Sequence, residues 1–85
     1  MTIQLVFLAR LRERFGVSRE TLPLAAGVAS VAALLDELRD RGGAFAEELA
    51  PTRAFRVAVN QDVVMLDHPL QAGDEVAIFP PVTGG

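Results

Sequence analysis

The sequence ends in Gly84-Gly85, and the group with the clearest chemical potential is the C-terminal carboxylate of that pair. At pH 7 this carboxylate is ionised and is therefore a poor electrophile. Adenylation with ATP on a partner enzyme would activate it. The acyl-adenylate could then accept sulfur and become a thiocarboxylate, which is a good nucleophile. We therefore predict that Gly85 carries the reacting atom.

The residues before the glycines favour a chain end that enters another protein. Pro80 and Pro81 have a fixed φ and no N–H, so the chain leaves any sheet in an extended form. Val82 and Thr83 lengthen this segment, and the two glycines have no Cβ atoms to block a narrow channel. We expect residues 80–85 to form a flexible tail that inserts into a partner.

No other group suggests catalysis on this chain. His68 is the one histidine, and its place in a turn beside Pro69 favours a structural or solvent-facing role. Cysteine is absent, which excludes disulfides, a thiolate nucleophile and a cysteine-based metal site. The acidic residues near the C-terminus lack the clustering of a metal site. We expect no metal and no bound cofactor, with ATP used only by the activating partner.

The composition indicates one small domain. The 85 residues suit a single compact unit, and the 51% of hydrophobic residues can supply its core. The net charge of −3 and the lack of a basic cluster argue against nucleic acid. The longest uncharged stretch, residues 21–35, is too short and too broken by Pro23 and Gly27 to span a membrane. Without a signal-peptide pattern, a cytoplasmic protein is expected.

The hydrophobic pattern predicts the elements that position the tail. Residues 3–9 and 19–24 indicate two strands, with a short helix over residues 10–15 between them. Ser30 is a good N-cap for a long helix, and four residues at helical spacing form its apolar face: Val31, Leu34, Leu35 and Leu38.

The second half of the chain predicts a further helical segment and three strands. A short helix is expected over residues 45–50, and strands over residues 55–59, 63–66 and 75–79, with a turn at residues 60–62. One main helix would cover one face of a mixed sheet. The predicted class is α+β with a β-grasp, ubiquitin-like fold over residues 1–79.

The sheet face away from the helix is predicted to dock partners, because an open face normally carries polar residues. Here it would carry an apolar patch close to the tail, formed by Val6, Leu8, Ala58, Ala77 and Phe79. Arg12 and Glu13 suggest first a solvated pair and second a contact with a partner.

Four segments give the chain a family resemblance. It closely resembles the small subunit of molybdopterin synthase, the MoaD family, and the resemblance covers essentially the whole chain. The segments that carry it are Ala58-Val59-Asn60-Gln61, Asp67-His68-Pro69-Leu70, Gly73-Asp74-Glu75-Val76-Ala77 and Phe79-Pro80-Pro81-Val82-Thr83-Gly84-Gly85.

The resemblance implies a non-catalytic, sulfur-donating subunit for molybdenum cofactor biosynthesis. An E1-like adenylyltransferase of the MoeB type would adenylate Gly85, and sulfur delivery would give the thiocarboxylate. The tail would then enter a large subunit of the MoaE type, which supplies the catalytic side chains. Sulfur would pass there to cyclic pyranopterin monophosphate. Two small and two large subunits would form the synthase.

Three alternatives remain open at this level. Another sulfur carrier of the same fold would serve thiamine synthesis, a sulfur-containing amino acid or tRNA thiolation. A ubiquitin-like modifier would be joined through Gly85 to lysines of target proteins. A pure interaction domain would have an inert tail.

Overall fold

A computed structural model describes residues 1–81, which form a mixed five-stranded sheet with three helices. The elements follow one another in this order: β1 (Thr2–Phe7), α1 (Arg10–Phe15), β2 (Arg19–Pro23), α2 (Val31–Arg39), α3 (Gly43–Glu48), β3 (Arg56–Val59), β4 (Asp62–Val64) and β5 (Glu75–Phe79). This arrangement confirms the predicted α+β class and the covering of one sheet face by helices.

The sheet order places β5, the strand before the tail, inside the sheet. The strands lie in the order β2-β1-β5-β3-β4. β1 runs antiparallel to β2 and parallel to β5, and β3 runs antiparallel to both β5 and β4. The base of the tail is therefore held by hydrogen-bonded neighbours on both sides.

The core forms between one sheet face and the helices. In β1, Ile3, Leu5 and Phe7 are completely buried, while the residues between them are half-exposed, as strand alternation requires. The predicted apolar face of α2 is at most 1% exposed and comprises Val31, Leu34, Leu35 and Leu38. The hydroxyl of Ser30 accepts a hydrogen bond from the N–H of Ala33 at 3.2 Å, which confirms the N-cap.

Aromatic packing attaches the two short helices to the end of β1. The ring of Phe7 meets Phe15 of α1 edge-on at 4.9 Å and Phe45 of α3 at 5.9 Å between ring centroids. Phe15 and Phe45 stack on each other at 4.1 Å. These contacts fix α1 beside the tail end of the sheet.

Several element boundaries differ from the predicted ones. β1 ends at Phe7 because Ala9 adopts a φ of 53°, which turns the chain into α1. The third helix covers Gly43–Glu48, earlier than residues 45–50. Asp62 belongs to β4, because the β3–β4 turn needs only Asn60 and Gln61, whose φ values are 50° and 75°. Two successive positive φ values suit the twist of a tight hairpin.

Candidate functional site: the tail and the open sheet face

The tail begins where β5 ends. Phe79, the last residue of β5, pairs in register with Arg56 of β3. Pro80 and Pro81 follow and are half-buried, and neither belongs to a strand, as their missing N–H predicts. The predicted roles of Val82, Thr83, Gly84 and Gly85 fall on residues outside the described part of the chain, so these roles remain predictions.

A row of four apolar side chains crosses the open face of the sheet, the face away from the helices. The register aligns Val6 of β1 with Ala77 of β5, Ala77 with Ala58 of β3, and Ala58 with Val63 of β4. Val63 is 64% exposed, and Val6 and Ala77 are half-buried. The row therefore offers a continuous apolar strip to a partner.

Ala58 has the predicted position but not the predicted accessibility. It is only 6% exposed, because β3 lies between β5 and β4 and the methyl group is flanked by Ala77 and Val63. Ala58 therefore offers little surface of its own, and its contact with a partner remains a prediction. The small size of Ala58 keeps the strip flat between its neighbours.

The tail end of the open face carries larger side chains. Leu8 is 42% exposed, and Phe79 is half-buried. The N–H of Leu8 donates to the carbonyl oxygen of Ile78 at 3.2 Å, which keeps Leu8 next to β5 after the strand has ended. These residues lie at the point where Pro80 starts the tail, so a partner that binds the tail can also contact them.

The sequence prediction missed two exposed residues, Val63 and Met65. Met65 is 79% exposed, more than any other large hydrophobic residue within residues 1–81. A strand was predicted over residues 63–66, but no prediction said which face of the sheet each of its side chains lies on. Alternation would have placed both side chains on one face, and the pairing of Ala58 with Val63 shows that Val63 belongs to the open face.

The opposite end of the open face is polar. Arg19 of β2 forms an ion pair with Glu75 of β5 at 3.2 Å. The side-chain oxygen of Asn60 accepts the N–H of Glu75 at 3.0 Å, and the side-chain amide of Asn60 donates to Asp74 at 3.0 Å. Apart from Arg56, which lies opposite Phe79, the open face is thus apolar beside the tail and polar at the end away from it.

A buried carboxylate ties α1 to the loop before β3. Glu48 is 3% exposed and forms ion pairs with Arg10 at 3.4 Å, Arg14 at 3.1 Å and Arg53 at 3.1 Å. Arg12, on the same short helix, is exposed and has no ion pair within residues 1–81. The cluster holds the helix in place and leaves Arg12 available to a partner.

The segment around His68 caps the main helix. The carbonyl oxygen of His68 accepts the N–H of Val31 at 3.0 Å, and that of Leu66 accepts the N–H of Ala32 at 2.8 Å. Both N–H groups lack partners within the helix itself. His68 therefore contributes through its backbone to the start of α2, which agrees with its predicted structural role.

One ion pair lowers the pKa of a carboxyl group, that of Glu20. A hydrogen bond from the Arg41 guanidinium, with a smaller contribution from its charge, holds the pKa of the Glu20 carboxyl below its usual value, against an opposing effect of burial. This pair joins β2 to the chain after α2, with one N–O distance of 2.9 Å. It stabilises the fold at the sheet edge farthest from β4.

Residues 1–81 contain neither a cluster of metal-ligating side chains nor a helix that could span a membrane. No three His, Cys, Asp or Glu side chains of this part come together as a metal site. None of its helices has the length and apolar character needed to cross a membrane.

The comparisons with known proteins extend to the tail. A family model described as the ThiS family matches residues 5–85. The chain belongs to the ThiS family. It is 41% identical over 83 residues to the molybdopterin synthase sulfur carrier subunit of Escherichia coli (strain K12), covering 98% of this chain and 99% of that protein. The resemblance to MoaD-type carriers is thereby confirmed.

Solved structures confirm the ubiquitin-like β-grasp fold. The chain is similar to SAMP1 from Haloferax volcanii, with a TM-score of 0.78, 28% identity and 100% coverage of both chains. It is also similar to a chain in the complex of subunits 1 and 2 of molybdopterin-converting factor from Helicobacter pylori 26695, with a TM-score of 0.70 and 100% coverage of both chains. At 22% identity, the second likeness concerns the fold alone.

Proposed function

We propose that this protein is the sulfur-carrier small subunit of molybdopterin synthase. The observation that carries this proposal is the match to a molybdopterin synthase sulfur carrier subunit at 41% identity over 98% of this chain. The matched ThiS-family region also runs through Gly85, so the tail belongs to the similarity. The protein donates sulfur to cyclic pyranopterin monophosphate for molybdenum cofactor biosynthesis.

Gly85 is the reacting residue in this proposal. Its carboxylate is adenylated with ATP by an E1-like enzyme of the MoeB type, and a sulfur donor then displaces AMP to leave the thiocarboxylate. The end of β5 at Phe79 supports this role, because the two prolines that follow cannot continue the strand. The protein itself supplies a nucleophile and no catalytic side chain.

The proposed partner is a large subunit of the MoaE type, in a heterotetramer of two small and two large subunits. The 41% identity to a protein named as a subunit of molybdopterin synthase supports this choice, because a subunit of that name acts together with a further subunit. The apolar strip on the open face, together with Leu8, Phe79 and Arg12, would dock on that subunit. The large subunit would enclose the tail and supply the catalytic side chains.

Two measurements test the proposal. After incubation with the E1-like enzyme, ATP and a sulfur donor, the intact mass should show one oxygen replaced by sulfur at Gly85. The thiocarboxylated protein mixed with the large subunit and the pterin precursor should then produce molybdopterin. Thiocarboxylated protein that yields no molybdopterin would exclude this branch of the family.

Deletion of Gly85 supplies the matched control for these reactions. We expect complete loss of sulfur transfer and an unchanged thermal unfolding midpoint, because the reacting atom is lost and the core within residues 1–81 is not altered. Transfer by the shortened protein would contradict the whole scheme.

A protein modifier is the second candidate function. The observation that favours it is the 28% identity to SAMP1, which a second structure from Haloferax volcanii names in full as small archaeal modifier protein 1. Reaction with the E1-like enzyme and ATP in a cell extract without added sulfur donor separates the two functions. Conjugates linked from Gly85 to lysines of other proteins would favour the modifier, and their absence favours the carrier.

A further inference from the structure

A groove lies beside the base of the tail and borders the open face at Arg56. It has a volume of about 520 Å³ and is bounded by the end of α2, the loop before β3 and the end of β4. Pro81, the last residue that the structure describes, is part of its wall. Phe55, Val64 and Leu66 contribute apolar surface to the lining.

The charged residues that line the groove are all arginines, namely Arg39, Arg53 and Arg56. Arg39 pairs with Asp36 at 3.0 Å and Arg53 with Glu48 at 3.1 Å, whereas Arg56 has no ion pair within residues 1–81. No acidic residue lines the groove. In a protein of net charge −3, this is a locally positive surface that favours acidic groups.

The composition of the rim fits a protein segment better than a small molecule. Met65 is 79% exposed and Leu66 is 50% exposed, and both lie in the wall of an open groove. Methionine, arginine and aromatic residues are enriched at protein interfaces. β4, which carries the groove's outer wall, is also an edge strand with an unpaired side.

The tail is short, so a partner that binds its end must lie close to the groove. Four residues follow Pro81, and a fully extended chain of that length spans at most about 14 Å. A partner that encloses the Gly85 carboxylate must therefore approach within this distance of Pro81. Its surface then lies close enough to reach the groove that Pro81 lines.

We propose that this groove is a second contact surface for the large subunit, and that it receives an acidic segment bearing an apolar anchor. The inference rests on the proposed function. The apolar anchor would pack against Phe55 and Leu66, and the acidic groups would pair with Arg53 and Arg56. The groove would extend the contact of the open face along the base of the tail.

Calorimetric titration of the large subunit with three variants tests the groove. Arg53→Gln removes a groove charge, and Leu66→Gln removes apolar surface without touching the open face. Ala26→Glu is the control, since it changes the net charge by the same amount as Arg53→Gln in an exposed turn at the opposite end of the sheet order. All variants are first checked for unchanged circular dichroism.

We expect both groove variants to bind about threefold to tenfold more weakly and the control to bind within about twofold of the unchanged protein. The affinity of Arg53→Gln should also depend less on salt. If both groove variants bind with unchanged affinity, the groove is not a contact surface for the large subunit, and the proposed function is unaffected. No binding by the unchanged protein overturns the proposed function and this inference together.

Two other occupants of the groove have distinct signatures in the free protein. Shifts of the Gly84 and Gly85 amide NMR signals in Arg53→Gln would identify the protein's own tail as the occupant. A dimer in sedimentation that Leu66→Gln dissociates would identify a second copy. Either result overturns the large subunit as the groove's partner.

Discussion

Replacing Glu48 by glutamine removes the negative charge at the centre of a cluster that holds three segments together. The carboxylate is 3% exposed and forms ion pairs with Arg10 and Arg14 of α1 and with Arg53 of the loop before β3. Glutamine has nearly the same shape and can still accept a hydrogen bond. The substitution therefore tests the charge, with little change in packing volume.

The expected cost follows from the exposure of the partners. Breaking a fully buried ion pair costs about 3–5 kcal/mol, because an unpaired charge stays buried. Here the arginine side chains are 56%, 44% and 48% exposed, so water can solvate them once the carboxylate is gone. We expect a loss of about 2 kcal/mol in the free energy of unfolding. For a domain of this size, the midpoint should fall by about 8–16 °C.

Glu47 provides the matched control one residue away. It is 65% exposed and pairs with Arg14 at 2.7 Å, so the same substitution, Glu47→Gln, should cost at most about 1 kcal/mol. Urea unfolding followed by circular dichroism at pH 7 measures both variants. If Glu48→Gln costs no more than Glu47→Gln, burial does not strengthen the cluster and the reasoning is refuted.

Three further predictions concern strain, pH and docking. Ala9→Gly should raise the free energy of unfolding by about 1 kcal/mol, because Ala9 has a φ of 53°; an unchanged urea midpoint would contradict the strain. The Glu20–Arg41 pair lowers the folded-state pKa of Glu20 from 4.5, so its contribution is present above pH 4.5 and is lost as the pH falls through the lowered pKa. The stability difference between the unchanged protein and Glu20→Gln, measured by urea unfolding, should therefore be smaller at pH 3 than at pH 7, and an equal difference at both would refute the linkage. Leu8→Asp combined with Phe79→Asp should weaken calorimetric binding of the large subunit at least about tenfold; unchanged affinity in the folded double variant would remove the open face from the interface.

The elements that depend on local pattern were predicted well from the sequence. The spacing of Val31, Leu34, Leu35 and Leu38 predicted the buried face of α2, and the Ser30 cap was confirmed. The end of β5 at Phe79 was also predicted, because Pro80 cannot donate to a strand. The C-terminal boundary of β1 was predicted wrongly, because alanine rarely adopts a positive φ and its residue type therefore does not predict one at Ala9.

By itself, the sequence determined the apolar periods, the helix cap, the exit of the tail after β5 and the family-specific segments. Each of these depends on residues within a few positions of one another. Only the tertiary structure decided that Ala58 is covered, that Val63 continues the apolar strip, and that Glu48 gathers arginines from 34 and 38 positions earlier. The groove beside Pro81 likewise needs α2, β3 and β4 together. Strand register and packing between distant segments set these contacts, because the order of residues along the chain does not specify which of them meet in space.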